Sequence, residues 1–490
     1  MRTSAFIGVG CLLGALAVAP RARAAGFYIT DIGAKGVARA GALVAAPEGP
    51  LAVHYNPAGL SLSKGLQLEL SMSLVTLEAQ FQRKCPCVDP SVYGEGTAAA
   101  DAALEADFDG NPEETSASLL VPFLGLSYGF EPWDLAIGLA AYAPNAGRSE
   151  LGLIGSAQAG SFPQIARYRP GRYSALEAPN LELNYALALS FSPIEGLSVG
   201  AGVYFFQAGA SQRLHLYMDA SRIYGPEDPN WDVPVLVDFL SDPGFNWGAG
   251  ISYALPFLKE LSVGASFRAA REISARGTID VDLPTNIAEL GSVQGKAIDV
   301  SLETAPIVRA GVQYRWPGLF AVEAAWVWEG WSVTDQVLID PVDATFQLGD
   351  NSFELDDIVY ERHWRDTWSL RLGGELELWK PAFAAQLGYF YEPSAIPQEW
   401  LDVSRIDLDK HGFSVGLNAE WRGIGLVVSG MYVMMDSVEV TEGRAHRITP
   451  VGLLSDEPHA TTVNNGVYSG SYWIANASLS FSLDRFLADG

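Results

Sequence analysis

The chain has 490 residues, a formal net charge of −26, 49% hydrophobic residues and three cysteines. A chain this acidic repels nucleic acid, whose binding needs lysines and arginines to displace counterions. So few cysteines do not build a disulfide-stapled scaffold. The apolar content must be buried some other way, yet no run beyond the N-terminus reaches the ~18 consecutive apolar residues of a membrane-spanning helix.

Residues 1–24 read as a secretory signal peptide: Arg2 supplies the positive start, Ala5 to Ala19 a short apolar core, and Ala22-Arg23-Ala24 a small-x-small cleavage site. Cleavage there starts the mature chain at Ala25-Gly26-Phe27. Residues 25–62 follow as a compact segment rich in small residues, from Gly33, Gly36 and Ala38 to His54-Tyr55-Asn56-Pro57-Ala58-Gly59-Leu60. It holds too few large apolar side chains to bury a core of its own, so it reads as a plug, or hatch, walled in by the rest of the chain. Cys85-Pro86-Cys87 reads as a local disulfide, since two ligands do not make a zinc site.

Residues 63–482 then repeat a period of two. Leu66, Leu68, Leu70, Met72 and Leu74 point one way, and Gln67, Glu69, Ser71 and Ser73 the other. Phe413, Val415, Leu417 and Trp421 likewise oppose Ser414, Gly416, Asn418 and Glu420. With no helices to cover the apolar faces, this predicts an all-β membrane protein, an antiparallel transmembrane β-barrel of about fourteen strands plugged by the hatch. The strands are expected near 65–82, 116–130, 133–143, 173–192, 197–217, 246–254, 261–281, 298–315, 319–339, 363–379, 382–392, 411–421, 423–440 and 470–482. Short turns alternate with long links near 83–115, 144–172, 218–245, 282–297, 340–362, 393–410 and 441–469, the periplasm-and-exterior pattern of outer-membrane barrels. Trp133, Phe191, Trp316, Trp379 and Trp421 lie beside short turns, where an aromatic girdle is expected. Residues 483–490 read as a short C-terminal tail. The implied surroundings are outer-membrane lipid and lipopolysaccharide, with insertion by the barrel-assembly machinery.

Strand parity aims Arg268, Arg309 and Arg371 into the lumen. Two readings stay open. They receive a ligand carboxylate, or they are neutralised by lumenal Glu182, Glu323, Glu375 and Glu420. The link at 218–245 carries Trp231, Leu236, Phe239 and Leu240. Large apolar residues in an exterior loop call for a partner, either a ligand or another loop. The six histidines are scattered, no nucleophile elbow or phosphate loop occurs, and no enzyme activity, metal or cofactor is expected.

Several of these stretches resemble the FadL family of outer-membrane transporters of long-chain fatty acids and other hydrophobic compounds. The resemblance is carried by Ala25-Gly26-Phe27, by Asn56-Pro57-Ala58-Gly59-Leu60, by Pro179-Asn180-Leu181 leading into Leu197 to Val203, by Trp364-Arg365-Asp366-Thr367-Trp368 with Arg371 to Glu375, and by Asp409-Lys410-His411-Gly412. It implies a fourteen-stranded barrel, passive ligand-driven uptake and lateral escape through a kinked wall. It also implies an outer hydrophobic groove at Trp231, Leu236, Phe239 and Leu240, and a gate at Phe27 and Asn56-Pro57-Ala58. Fatty acids are the expected cargo, with aromatic hydrocarbons as the alternative. The competing classes are a lipid-modifying outer-membrane enzyme and a general porin. The plug opposes the porin.

Overall fold

The computed structural model describes residues 24–28, 31–84, 113–131, 134–150, 177–217, 232–283, 288–289, 291–379, 382–403, 405–445 and 462–488. Fourteen antiparallel strands form the wall: β1 (Gly65–Arg83), β2 (Glu113–Phe130), β3 (Leu135–Glu150), β4 (Glu177–Ile194), β5 (Leu197–Tyr217), β6 (Gly244–Ala254), β7 (Leu261–Arg268), β8 (Ile307–Trp316), β9 (Phe320–Glu329), β10 (Thr367–Trp379), β11 (Phe383–Glu392), β12 (Lys410–Trp421), β13 (Ile424–Met435) and β14 (Gly466–Ser482). Each pairs with the next, and β14 returns to β1 in register from Gln67↔Ser482 to Arg83↔Gly466, which closes the barrel. No helix among the described residues is long and apolar enough to cross a membrane. The crossing is made by strands, whose backbone groups the closed sheet satisfies.

Burial is inverted relative to a protein in water. Leu68, Leu70, Met72, Leu74, Leu370, Leu372 and Phe413 are exposed on the outer face, while Ser71, Ser73, Gln313, Glu323, Arg371 and Ser414 are buried. This is the alternation expected when the solvent outside is lipid. Phe191, Trp316, Trp379 and Trp421 are exposed beside the short turns, whereas Trp133 lies outside the described residues.

Two sequence expectations need correction outside the membrane. The segment around Leu236 to Leu240 is not a free loop. Asp232–Ser241 is a strand, held between the outer end of β5 and Arg271–Val281. Val233, Val235 and Val237 alternate inward and are buried with Ile279, Ile298, Val300 and Ile339, so β-branched period-two chemistry governs here too. Several expected long strands are also interrupted. The wall breaks after Arg268, at Ala305-Pro306 and at Gly330, where a short 3-10 turn, Trp331–Val333, follows. Proline donates no ladder hydrogen bond, which accounts for the second break. Beyond the breaks, Arg271–Val281, Ala297–Thr304, Gln336–Val342 and Ile358–Glu361 continue the sheet above the membrane.

The hatch is four short turns inside the barrel: α1 (Ala34–Ala38), a 3-10 turn at Gly49–Leu51, α2 (Ala52–Tyr55) and a 3-10 turn at Pro57–Leu62. Asn56 caps the last by accepting from the Ala58 amide. Wall glycines make room for it. A Cβ at Gly250 would collide with the Asn56 side chain, and one at Gly200 with the Pro57–Ala58 backbone. The C-terminal residues form α3 (Leu483–Ala488), with Asp484 against Gly65 and Phe486 against Gly423.

Candidate functional site

On one side, polar groups of the wall hold the hatch. Glu323 on β9 has no solvent exposure. Its carboxylate accepts from the Val44 amide (2.5 Å), the Ala45 amide (3.0 Å), Gln313 Nε2 (3.1 Å) and Arg39 Nη2 (3.5 Å). Ser252 Oγ donates to the Ala45 carbonyl (2.5 Å), Ser266 Oγ to Tyr55 (2.7 Å) and Ser414 Oγ to Ala38 (2.9 Å). Asn56 Nδ2 donates to the Ile251 and Val44 carbonyls. On the other side, Leu51, Val53, Tyr55 and Leu60 pack on Leu119, Val121, Phe123, Ala140 and Tyr142 of β2 and β3.

That second side adjoins a parting of the wall. β2 and β3 pair from Phe130↔Leu135 only as far as Phe123↔Tyr142. Beyond that point β2 continues to pair with β1, out to Glu113, and β3 continues with β4 after a register shift between Tyr142 and Asn145. Pro122 and Pro144 stand where the strands separate, and neither can donate to the ladder. The freed edge of β3 is taken up by the strand Ala24–Tyr28, which carries Phe27 and pairs at Tyr28↔Asn145 and Ala24↔Gly147.

Outward of the hatch, the breaks in the wall leave a cavity of about 180 Å³ lined by Leu181, Phe239, Ile273, Leu302, Trp331, Trp364, Phe390, Ile396 and Tyr472. Its polar edge is largely self-neutralised. Arg271 meets Glu182 at 2.5 Å. Lys410 meets Asp407 at 2.5 Å and Glu392 at 2.9 Å. Glu329 accepts from Trp331 Nε1 at 2.7 Å. At the periplasmic end, a second cavity of about 300 Å³ lies between hatch and wall and is lined by charges, among them Lys35, Arg39, Arg315, Arg485, Glu375 and Glu420. One end therefore suits an apolar guest and the other suits water.

The three lumenal arginines all face inward and are buried. Arg371 donates to Asp31 (2.8 Å), the Ala40 carbonyl (3.1 Å), Ser369 (2.9 Å) and Glu392 (3.2 Å). Arg268 donates to the His54 carbonyl (3.3 Å) and lies 4.0 Å over the Tyr204 ring. Arg309 is buried within electrostatic reach of Tyr55 and Glu329. Arg371 and Arg268 thus engage the hatch, and none of the three lines the apolar cavity. Phe239 lines it, Leu236 is half-buried beside it in sequence, and Leu240 is 58% exposed. Trp231 lies outside the described residues, as do Cys85, Cys87 and the side chain of Phe27. Asn56, Pro57 and Ala58 are fully buried at the hatch–wall contact.

Parity alone did not single out Trp331, Trp364, Arg405 or Lys410 as cavity residues. Trp364 and Lys410 belong to the two barrel motifs that carried the family resemblance, and the fold brings those motifs together at Glu392, which pairs with Arg371 of the first (3.2 Å) and Lys410 of the second (2.9 Å). Among the described residues, no group of three or more histidine, cysteine or acidic side chains is placed to hold a metal.

A family profile described as outer membrane protein transport protein (OMPP1/FadL/TodX) matches residues 15–467. Among solved structures, a Pseudomonas aeruginosa FadL homologue superposes with a TM-score of 0.70 at 14% identity, covering 94% of this chain and 100% of that one. The Pseudomonas putida toluene transporter TodX gives 0.63 at 14% identity over 93% and 99%. The CymD monoaromatic hydrocarbon channel gives 0.57 at 16% over 93% and 99%. No curated protein sequence matches the chain. At these identities the structures establish the shared fold, and the profile establishes kinship. Members of the profiled family are outer-membrane transport channels, not enzymes. The chain belongs to the FadL/TodX family of outer-membrane transport proteins.

Proposed function

We propose that the protein takes up hydrophobic molecules, long-chain fatty acids foremost, by passive transfer from the outer cavity to a lateral exit between β2 and β3. The observation that carries this reading is the apolar cavity set above a hatch whose apolar side abuts the parting at Pro122 and Pro144. Each methylene leaving water for such a cavity gains ~0.8 kcal/mol, which offsets the cost of crossing the polar outer leaflet. The charged periplasmic vestibule offers no such gain, so the favourable continuation is sideways into lipid. The outer strand Asp232–Ser241, through Phe239, forms part of the capture surface, together with Leu236 and Leu240 and with Trp231 just before it. The strand Ala24–Tyr28 is the movable stave, with Phe27 on it. Its displacement uncovers the freed edge of β3, and the turn at Asn56-Pro57-Ala58 is the hinge point behind it.

The test is uptake by cells lacking their own hydrophobe transporter, with wild type compared to a chain lacking Pro144. That deletion shortens the β3 irregularity opposite Leu183 and lets β3 run on beside β2. Labelled oleate should enter cells carrying wild type and not those carrying the deletion, with equal amounts of folded barrel. Uptake that survives the deletion would sink the lateral route. Large steady ion conductance in planar bilayers would favour a porin instead.

A further inference from the structure

Residues 362–366 form a strap that leads into β10 and joins two exterior links, 330–335 after β9 and 393–403 after β11. Backbone groups tie it to both. The Arg362 and His363 amides donate to the Asp335 carbonyl (2.7 and 3.0 Å), and the Arg365 amide donates to the Ala395 carbonyl (2.9 Å). The Asp366 carboxylate accepts from the Ser332 amide (3.0 Å). The strap carries Trp364, which lines the apolar cavity with Trp331 and meets that ring edge to face at 5.3 Å. His363, just before it, has a φ of +46°, a left-handed conformation uncommon outside glycine. Its ring lies between two carboxylates. Nδ1 is 2.9 Å from Asp335, and Nε2 is 3.8 Å from Glu361 at the end of the preceding strand. The Trp400 ring lies 4.5 Å away, on the link after β11. The other charged groups of the strap are Arg362, Arg365 and Asp366, while Glu399 and Asp402 flank Trp400 in sequence. The His363 side chain is 42% exposed, so it takes its protons from the outside medium.

We propose that His363 is a proton-operated catch on this strap, which fixes Trp364 in the cavity wall when charged and slackens when neutral. A neutral imidazole has one donor and one acceptor nitrogen. Between two carboxylates, one of its nitrogens must turn a lone pair toward a negative oxygen. The protonated ring presents a donor to each side, and its charge is attracted by the indole face of Trp400. Histidine is the side chain suited to such a change between pH 5 and 8. Acid therefore tightens the strap, and a rise in pH loosens it. The backbone ties hold in both states, so the catch sets how readily the Trp331–Trp364 pair yields and not what the cavity binds. Its effect on cargo release rests on the uptake reading, whereas its effect on the strap does not.

The test is hydrogen exchange at the Arg362 and His363 amides of the full-length protein in detergent, at pH 5.5 and pH 8, for wild type, H363N and D335N. Asparagine tolerates the left-handed backbone and carries no charge at either pH. Protection, corrected for the intrinsic exchange rate at each pH, should rise about two- to fivefold on acidification in wild type, the scale of a half-exposed ion pair. It should stay level in H363N and D335N. Dissociation of dodecanol, which is neutral throughout, should slow by a similar factor in wild type alone. Level protection in wild type, or a pH response that survives in H363N, would overturn the catch. Protection that responds while dodecanol leaves at one rate would overturn its hold on the cavity. A responding strap on a protein that binds no dodecanol at either pH would leave the catch standing and remove the uptake reading.

Discussion

The hatch meets the barrel in two chemically different ways. Toward β6, β7, β9, β10 and β12, carboxylate, guanidinium and hydroxyl groups reach its backbone at fixed angles, as at Glu323, Ser252, Ser266, Arg371 and Ser414. Toward β2 and β3, it presents Leu51, Val53 and Tyr55 to Leu119, Val121 and Phe123. Directional bonds in a dry interior tolerate little displacement, because each broken one leaves a buried group unsatisfied. Apolar packing is non-directional, and a hydrophobic guest can replace the contacts it displaces. The difference sorts the two sides into a fixed seat and a yielding edge. The yielding edge is the one beside the parting of the wall.

The sharpest way to break the comparison is at Glu323. Glu323→Ala leaves two hatch amides and Arg39 buried without their acceptor, a change of ~3–5 kcal/mol by analogy with other broken buried pairs. The barrel should still migrate as a folded, heat-modifiable species, but its conductance in planar bilayers should rise as the seat fails. Conductance indistinguishable from wild type would mean that the polar side is not what holds the plug. A middle-sized effect is expected on the yielding edge. Tyr142→Ala removes a fully buried ring packed on Phe123 and His54 and should cost about 3 kcal/mol of local packing. Here the expected readout is faster hydrophobe uptake with ion conductance still low, which separates loosening the edge from losing the seat. The smallest effect belongs to Ser252→Ala, which deletes one hydroxyl donor to Ala45. It should lower the protection of the Val44–Ala45 amides against hydrogen exchange by about 1 kcal/mol and leave both uptake and conductance near wild type.

Much of the barrel was legible in the sequence because a strand writes its environment into every second residue. Leu68 and Leu70 against Glu69 and Ser71 need no partner to be understood. The outer strand Asp232–Ser241 follows the same rule, but Trp231, Pro234 and Asp238 obscured its alternation and made it read as a loop. The inward aim of Arg268, Arg309 and Arg371 was also legible from parity. Their immediate neighbours were not, since Arg371 meets Asp31 and Ala40 across more than three hundred residues. The same holds for Glu323, whose neighbours in β9 say nothing of Val44. The cavity was the least legible feature, because its lining is drawn from many distant stretches of the chain, Leu181, Phe239, Ile273, Trp331, Trp364 and Tyr472 among them, which meet only in the fold.

The six residues of α3 bridge the barrel's seam and the strands beside it. Asp484 lies against Gly65 at the start of β1, Phe486 stacks on Phe481 of β14 at 5.4 Å, and Arg485 pairs with Glu420 at the end of β12. Of these sites, the one at Gly65 joins the others only after β14 has found β1. The helix can therefore dock on β12 to β14 alone, and the Gly65 contact adds binding free energy that only the finished ring gains. If the wall parts between β2 and β3 as proposed, unzipping the neighbouring seam would also cost the contact of α3 with Gly65, so the strand junction made last in the chain is clasped at its end.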